Sequence, residues 1–155
     1  MKKIIILAVL AMLAYACSDN SSQQEAPASS SSTTESGTPA YDTARGEGKF
    51  TNVSVSPQLD KAMAEAGLKV YDVKCAACHK LTDEKLVGPG WLGVTNRHKP
   101  EWIMNFVTNV DEMLKKDAKS QAMLEVCLVR MPNQNLTDDE ARHVYEFMRQ
   151  NDGVK

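Results

Sequence analysis

The chain has 155 residues, 43% of them hydrophobic, with 18 Lys+Arg against 20 Asp+Glu. That length suits one compact domain and is short for two. From Pro57 onward 14 basic residues face 15 acidic ones, so no basic field argues for nucleic acid as a partner. Lys115, Lys116 and Lys119 read as a solvated helix face.

The first segment, "MKKIIILAVLAMLAYAC", stands apart from that domain. Lys2 and Lys3 form a charged start, and Ile4–Leu13 form an apolar run too short to span a bilayer easily. Ala14 and Ala16 then precede Cys17, so residues 1–16 read as a secretory signal. Cysteine in that place resembles the lipobox of bacterial lipoproteins, which implies cleavage before Cys17 and lipid on the new N-terminus. Ordinary cleavage near Ala16, leaving a free thiol, is the alternative. Residues 18–40 hold eight serines and three threonines and show no apolar period. Such a stretch buries too little to offset its ordering entropy, so residues 17–56 are expected to be a flexible tether reaching about 35 Å.

The folded part is expected over residues 57–155. Ser56-Pro57 has the form of a helix start, a hydroxyl cap before proline at the first helical position. Leu59, Met63, Ala66, Val70 and Tyr71 then fall on one face, which carries that helix to about Lys74. A long loop rich in glycine follows. Pro100 opens a second helix with Ile103, Phe106, Val107 and Val110 on its apolar side. A third is expected in 117–128 with Ala118, Met123, Leu124 and Leu128 inward. The last has a capping-box pair in Thr137 and Glu140, acidic residues at Asp138 and Asp139, and a stripe of Ala141, Val144, Phe147 and Met148. No stretch alternates as a strand does, so the domain reads as all-α. His98 and His143 sit among charged neighbours and are expected to be exposed.

At the end of the first helix stands "KCAACHK", residues 74–80. A redox dithiol would want a βαβ setting, which is missing from the pattern. A Cys3His zinc site could be drawn from Cys75, Cys78, Cys127 and His143, but it leaves His79 idle. C-x-x-C-H is also the attachment pattern of c-type haem. Two thiols at that spacing can each add to one vinyl group, and the next residue can offer its imidazole to the iron. That reading uses Cys75, Cys78 and His79 together. Cys127 is left as a buried, inert thiol.

Four features over residues 57–152 make the chain resemble the class I (mitochondrial-type) cytochromes c. Gly67, Tyr71 and Cys75 are spaced by four; "GPGW" spans 88–91; "RMPNQNLTDDE" leads into the last helix; and "VYEFM" supplies aromatics. The resemblance implies a class I cytochrome c fold of about four helices wrapped around one covalently bound haem c. In it Gly67 lets the first and last helices cross closely, with Phe147 in preference to Tyr145 against it. It assigns the Pro89 carbonyl to the proximal imidazole Nδ1–H, Trp91 to the haem pocket, and Met131 to the distal position. Met131 precedes a proline outside any helix, 52 residues beyond His79. Met113 and Met123 are the alternatives.

The function implied is one-electron transfer by a monomeric carrier, not an enzyme, exported and held at a membrane facing the periplasm or cell exterior. A haem enzyme or gas sensor with a labile distal ligand is the competing class. The donor and acceptor would be redox proteins. "GPGWLGVTNRHKPEWIMNFVTN" and "NQNLTDDEAR" look similar to small cytochromes of nitrous-oxide reductase systems, with terminal oxidases as the other choice. If Cys17 carries lipid, the mature protein should fractionate with membranes and partition into detergent, and Cys17→Ser should release it or block processing. A mature wild-type protein found wholly in the soluble fraction would sink the tether.

Overall fold

The computed structural model describes residues 41–155. The signal segment, Cys17 and the first part of the expected tether lie outside the described residues. Six helices follow in order: α1 Lys61–Lys74, α2 Val94–Arg97, α3 Pro100–Thr108, α4 Val110–Lys116, α5 Ala118–Cys127 and α6 Asp138–Asn151. Among the described residues no strand forms, only an isolated bridge between His79 and Lys85. No described helix is long and apolar enough to cross a membrane.

α1 and α6 cross at the centre of the fold. Ala64, Gly67 and Tyr71 form the buried face of α1, three positions that share one side of a helix. A β-carbon at Gly67 would lie 2.0 Å from the His143 carbonyl oxygen and 2.8 Å from Phe147 Cβ. The two backbones therefore touch, and Phe147, not Tyr145, lies against the glycine. Tyr71 extends the contact, its ring 5.4 Å from that of Phe147. α6 begins with the capping box expected from its sequence: Thr137 Oγ1 accepts from Glu140 N at 3.1 Å, and Glu140 Oε2 accepts from Thr137 N at 2.9 Å.

α1 starts later than Ser56-Pro57 suggested. Asp60 is its cap, accepting from Met63 N at 3.0 Å. The reason is that Ser56 and Pro57 are engaged elsewhere. Arg149 donates to their carbonyl oxygens at 2.7 and 3.3 Å, and Ser56 Oγ closes a local turn with Gln58 N. Arg149 also donates to Glu146 at 2.6 Å, Arg142 does so from the other side at 2.6 Å, and Asp60 N adds a third bond at 2.9 Å. Glu146 is fully buried, and these donors offset the cost of burying its charge.

Three other expectations are corrected. The helix foreseen over 117–128 forms as α5, capped by Asp117, but two of the residues expected inward are not: Ala118 is exposed, and Leu128 is 83% exposed in a left-handed turn at φ 61°. Val110 belongs not to the second helix but to α4, where it is fully buried. The loop after the cysteines also holds the short helix α2. It is capped from the far end of the chain, where Asp152 accepts from Gly93 N at 2.6 Å and Thr95 N at 2.8 Å.

The tether expected up to residue 56 is corrected in its second part. Phe50, Val53 and Val55 pack against the core. Fully buried Asn105 clasps this strap, its Oδ1 accepting from Phe50 N at 2.9 Å and its Nδ2 donating to the Phe50 and Arg45 carbonyls at 2.9 and 3.1 Å. Val53 N donates to Glu101 at 2.8 Å. Phe50, Val53 and Val55 bury enough apolar surface, and Asn105 enough backbone, to order a segment whose composition alone looked like linker.

Gly67→Ala should force the α1–α6 crossing apart, since backbone and not a flexible side chain stands in the way. A loss of roughly 1–3 kcal/mol or more is expected, read as a lower thermal midpoint. A midpoint equal to the wild type would mean that the crossing tolerates a methyl.

Candidate cofactor site

The chain winds one further turn past α1. Cys75 and Ala76 both donate from their backbone N to Tyr71 O at 2.9 Å, and Cys78 N and His79 N both reach Cys75 O at 3.0 Å. That turn brings Cys75, Cys78 and His79 to the wall of one cleft. The thiols of Cys75, Cys78 and Cys127 are free. Burial pushes the Cys75 thiol up to about 11, the reverse of what a reactive dithiol requires. Among the described residues no group of three or more His, Cys, Asp or Glu side chains could hold a metal ion. The Cys3His zinc alternative is therefore set aside.

The loop after the motif folds back on it. Gly88 N donates to Cys78 O and Trp91 N to Lys80 O, both at 2.9 Å. His79 Nδ1 then lies 2.9 Å from the Pro89 carbonyl oxygen. An N–H on Nδ1 donates there and leaves the Nε2 lone pair free to bind a metal. A β-carbon at Gly88 would stand 2.3 Å from His79 Cε1, so the close fit of loop to ring requires glycine. From the other side Tyr71 OH donates to the His79 carbonyl oxygen at 2.7 Å. Trp91 is buried, with its ring 5.0 Å from Tyr71 and 5.5 Å from His79. Burial lowers the His79 pKa, opposed by the Pro89 bond, and favours the neutral imidazole.

Two adjoining clefts, of about 910 and 1430 Å³ with the open solvent at their mouths included, share His79, Trp91, Met123, Cys127 and Met131 on their walls. Met131 is half-buried in the non-helical run before α6. Met123 lines the same clefts from the middle of α5. Met113 lines neither; it is fully buried, and its sulfur accepts from Glu47 N at 2.9 Å. Cys127 is half-buried on the cleft wall, not enclosed in the core as expected.

His98 is not exposed. Its ring stacks on Trp102 at 3.9 Å, and burial, then Lys119 and Arg97, lower its pKa to about 4. Trp102 Nε1 and His98 Nδ1 are buried without a hydrogen-bond partner, and both residues line the larger cleft beside Arg97. An unpaired buried N–H is costly. A group with an apolar ring and carboxylate acceptors at its edge fits this wall, and haem is such a group. Sequence reasoning missed Trp102; the helical spacing that put Phe106 inward puts Trp102 beside it, and their rings stack at 5.2 Å.

A family model described as cytochrome c matches residues 64–152. No curated protein matches the chain. Among solved structures it is similar to the cytochrome c of Rhodothermus marinus, with 31% identity and a TM-score of 0.65 over 68% of this chain and 90% of that one. It is also similar to an engineered form of that protein, Rma TDE, at 30% identity and a TM-score of 0.65, and to the same form bound to a carbene intermediate at a TM-score of 0.62, each over 68% of this chain and 90% of that one.

Gly88→Ala should push the imidazole from its seat against the loop. Partial loss of the low-spin absorption spectrum and roughly 1–3 kcal/mol lower stability are expected, measured by visible spectroscopy and thermal unfolding. An unchanged spectrum would separate the ring's position from the loop's approach.

Proposed function

The chain belongs to the cytochrome c family, and from that premise we propose that it is an exported carrier whose iron is held by His79 and Met131. The family's cofactor is covalently attached haem c, and its role is electron carriage between redox proteins. In our reading Cys75 and Cys78 form the two thioethers. Pro89 orients the His79 imidazole, and Trp91 shields it. The observation that carries this is the lining of a single cleft by Cys75, Cys78, His79 and Met131.

Haem, when bound, supplies a one-electron couple, and Met/His ligation raises its potential. This chain's residues do the rest. Pro89 holds the Nδ1 proton, so Nε2 keeps the same orientation in both oxidation states. Tyr71 fixes the His79 main chain. Trp91 and Val107 exclude water from the cleft with apolar surface, and Met131 on the same wall would offer its thioether as the second ligand. A group so enclosed changes charge with little rearrangement, which suits a carrier. Lipid on Cys17 would keep it near a membrane, within reach of donor and acceptor. A nitrous-oxide reductase or a terminal oxidase is the acceptor to test by reconstituted electron flow.

One observation favours a second reading. Met131 lies in a non-helical run, half-buried, and a labile ligand there would open the site to small molecules. The similar engineered protein is described with a carbene intermediate bound. Carbon monoxide separates the two: slow or weak binding by the reduced protein supports the carrier, and rapid binding at low concentration supports an enzyme or sensor.

Met131→Ala should remove the far-red iron–sulfur absorption, lower the potential and admit carbon monoxide. Haem should stay with the polypeptide after denaturing electrophoresis, whereas replacing Cys75 and Cys78 together by alanine should abolish that staining. Met123→Ala should keep the band and cost less than the roughly 2–5 kcal/mol of a fully buried methionine. If Met123→Ala loses the band while Met131→Ala keeps it, the ligand is Met123.

A further inference from the structure

Asp117 stands at the break between α4 and α5, fully buried. Its Oδ1 accepts from Ser120 N at 2.8 Å and Ser120 Oγ at 2.9 Å, which caps α5. Its Oδ2 accepts from Tyr41 OH at 2.9 Å. Three hydrogen bonds thus satisfy a buried carboxylate, and one comes from the strap, 76 residues away. Burial first, and then the Asp117 carboxylate, raise the Tyr41 hydroxyl well above its ordinary pKa, so it remains a donor. Further contacts tie the strap to the same two helices: Lys119 Nζ donates to Thr43 O at 3.1 Å, and Lys116 pairs with Glu47 at 3.2 Å.

Beyond this cap α5 is held mainly by polar contacts, with Gln121 donating to the Leu114 and Lys115 carbonyls at 3.2 and 3.0 Å and Lys85 to the Val126 carbonyl at 2.9 Å, while Met123 packs half-buried against the core. Ser120 is its one buried residue, yet it carries Met123, Leu124 and Cys127 on the cleft wall. Its C-terminal turn at Leu128 delivers the chain to Met131 three residues later. A helix with so small a core contribution takes its position from its ends.

We propose that Tyr41 and Asp117 are positioning residues for the Met131 side of the cofactor cleft, with the strap fixing the start of α5 and, through it, the cleft wall. This rests on Met131 as distal ligand. The bond to a buried carboxylate is of the stronger kind, so its loss loosens α5 before the rest of the domain.

The test uses the full-length haem protein with Tyr41→Phe, which removes one hydroxyl and keeps the ring. Lys49→Ala is the comparison, because it breaks a strap ion pair with Asp138 on α6 and leaves α5 alone. Tyr41→Phe should bind carbon monoxide about tenfold faster and lose the iron–sulfur band below its global unfolding temperature. Lys49→Ala should change neither. Hydrogen exchange provides a readout independent of the ligand: α5 amides should exchange faster in Tyr41→Phe while α6 amides do not. Unchanged α5 exchange would overturn the proposal. Faster α5 exchange without any effect on carbon monoxide or the band would overturn the link to Met131. If Met131→Ala itself leaves the band intact, it is the ligand assignment that fails, and the exchange result still decides the role of the strap.

Discussion

No β-carbon can be placed at residue 67, because the His143 carbonyl oxygen would stand 2.0 Å from it. That contact fixes the separation of α1 from α6, and most of the molecule follows from it. It sets Tyr71 beside Phe147 and Trp91, from which the Tyr71 hydroxyl reaches the His79 carbonyl. It also sets where α1 ends, and hence where the turn through Cys75, Cys78 and His79 can project. The histidine is then held between a phenol bond on its main chain and the Pro89 carbonyl on its ring, a placement of about the accuracy a metal ligand needs.

Two buried carboxylates secure the periphery in different ways. Glu146 meets two guanidinium groups and one backbone N–H, which locks the approach to α1 onto the middle of α6. Asp117 meets a hydroxyl from each of two segments and the amide of its own helix. The first is an ion-pair cluster whose dismantling would strand a charge in the core. The second depends on neutral donors alone, so it is easier to release and lies next to the less packed wall of the cleft.

What the sequence revealed was what depends on neighbours in the chain. The three residues of the CxxCH turn are adjacent, the Thr137–Glu140 capping box spans four positions, and the stripe of α6 repeats every three or four. What it concealed depends on distant partners. Asp152 caps α2 from beyond the last helix, Asn105 orders the strap across 55 residues to Phe50, and Trp102 encloses a histidine whose neighbours in sequence are charged. Ser56-Pro57 shows the same limit from the other side: a good local start signal gave way because Arg149 takes those carbonyls. Met131 and Met123 share the cleft wall, and only the proline after Met131 and its place outside a helix told them apart in the sequence.

The burial of Cys75 bears on the order of events in making the protein. At 6% exposure, with its thiol raised to about 11, it is a poor nucleophile and a hard target once α1 lies on α6. Residues 67 and 143 meet late in synthesis, since α6 is made after the other five described helices. Until then Cys75, Cys78 and His79 remain on an open chain, accessible to any apparatus that delivers haem. Covalent attachment is thus favoured before the helix pair closes, and a chain that closed too early would trap the cysteine before it had reacted.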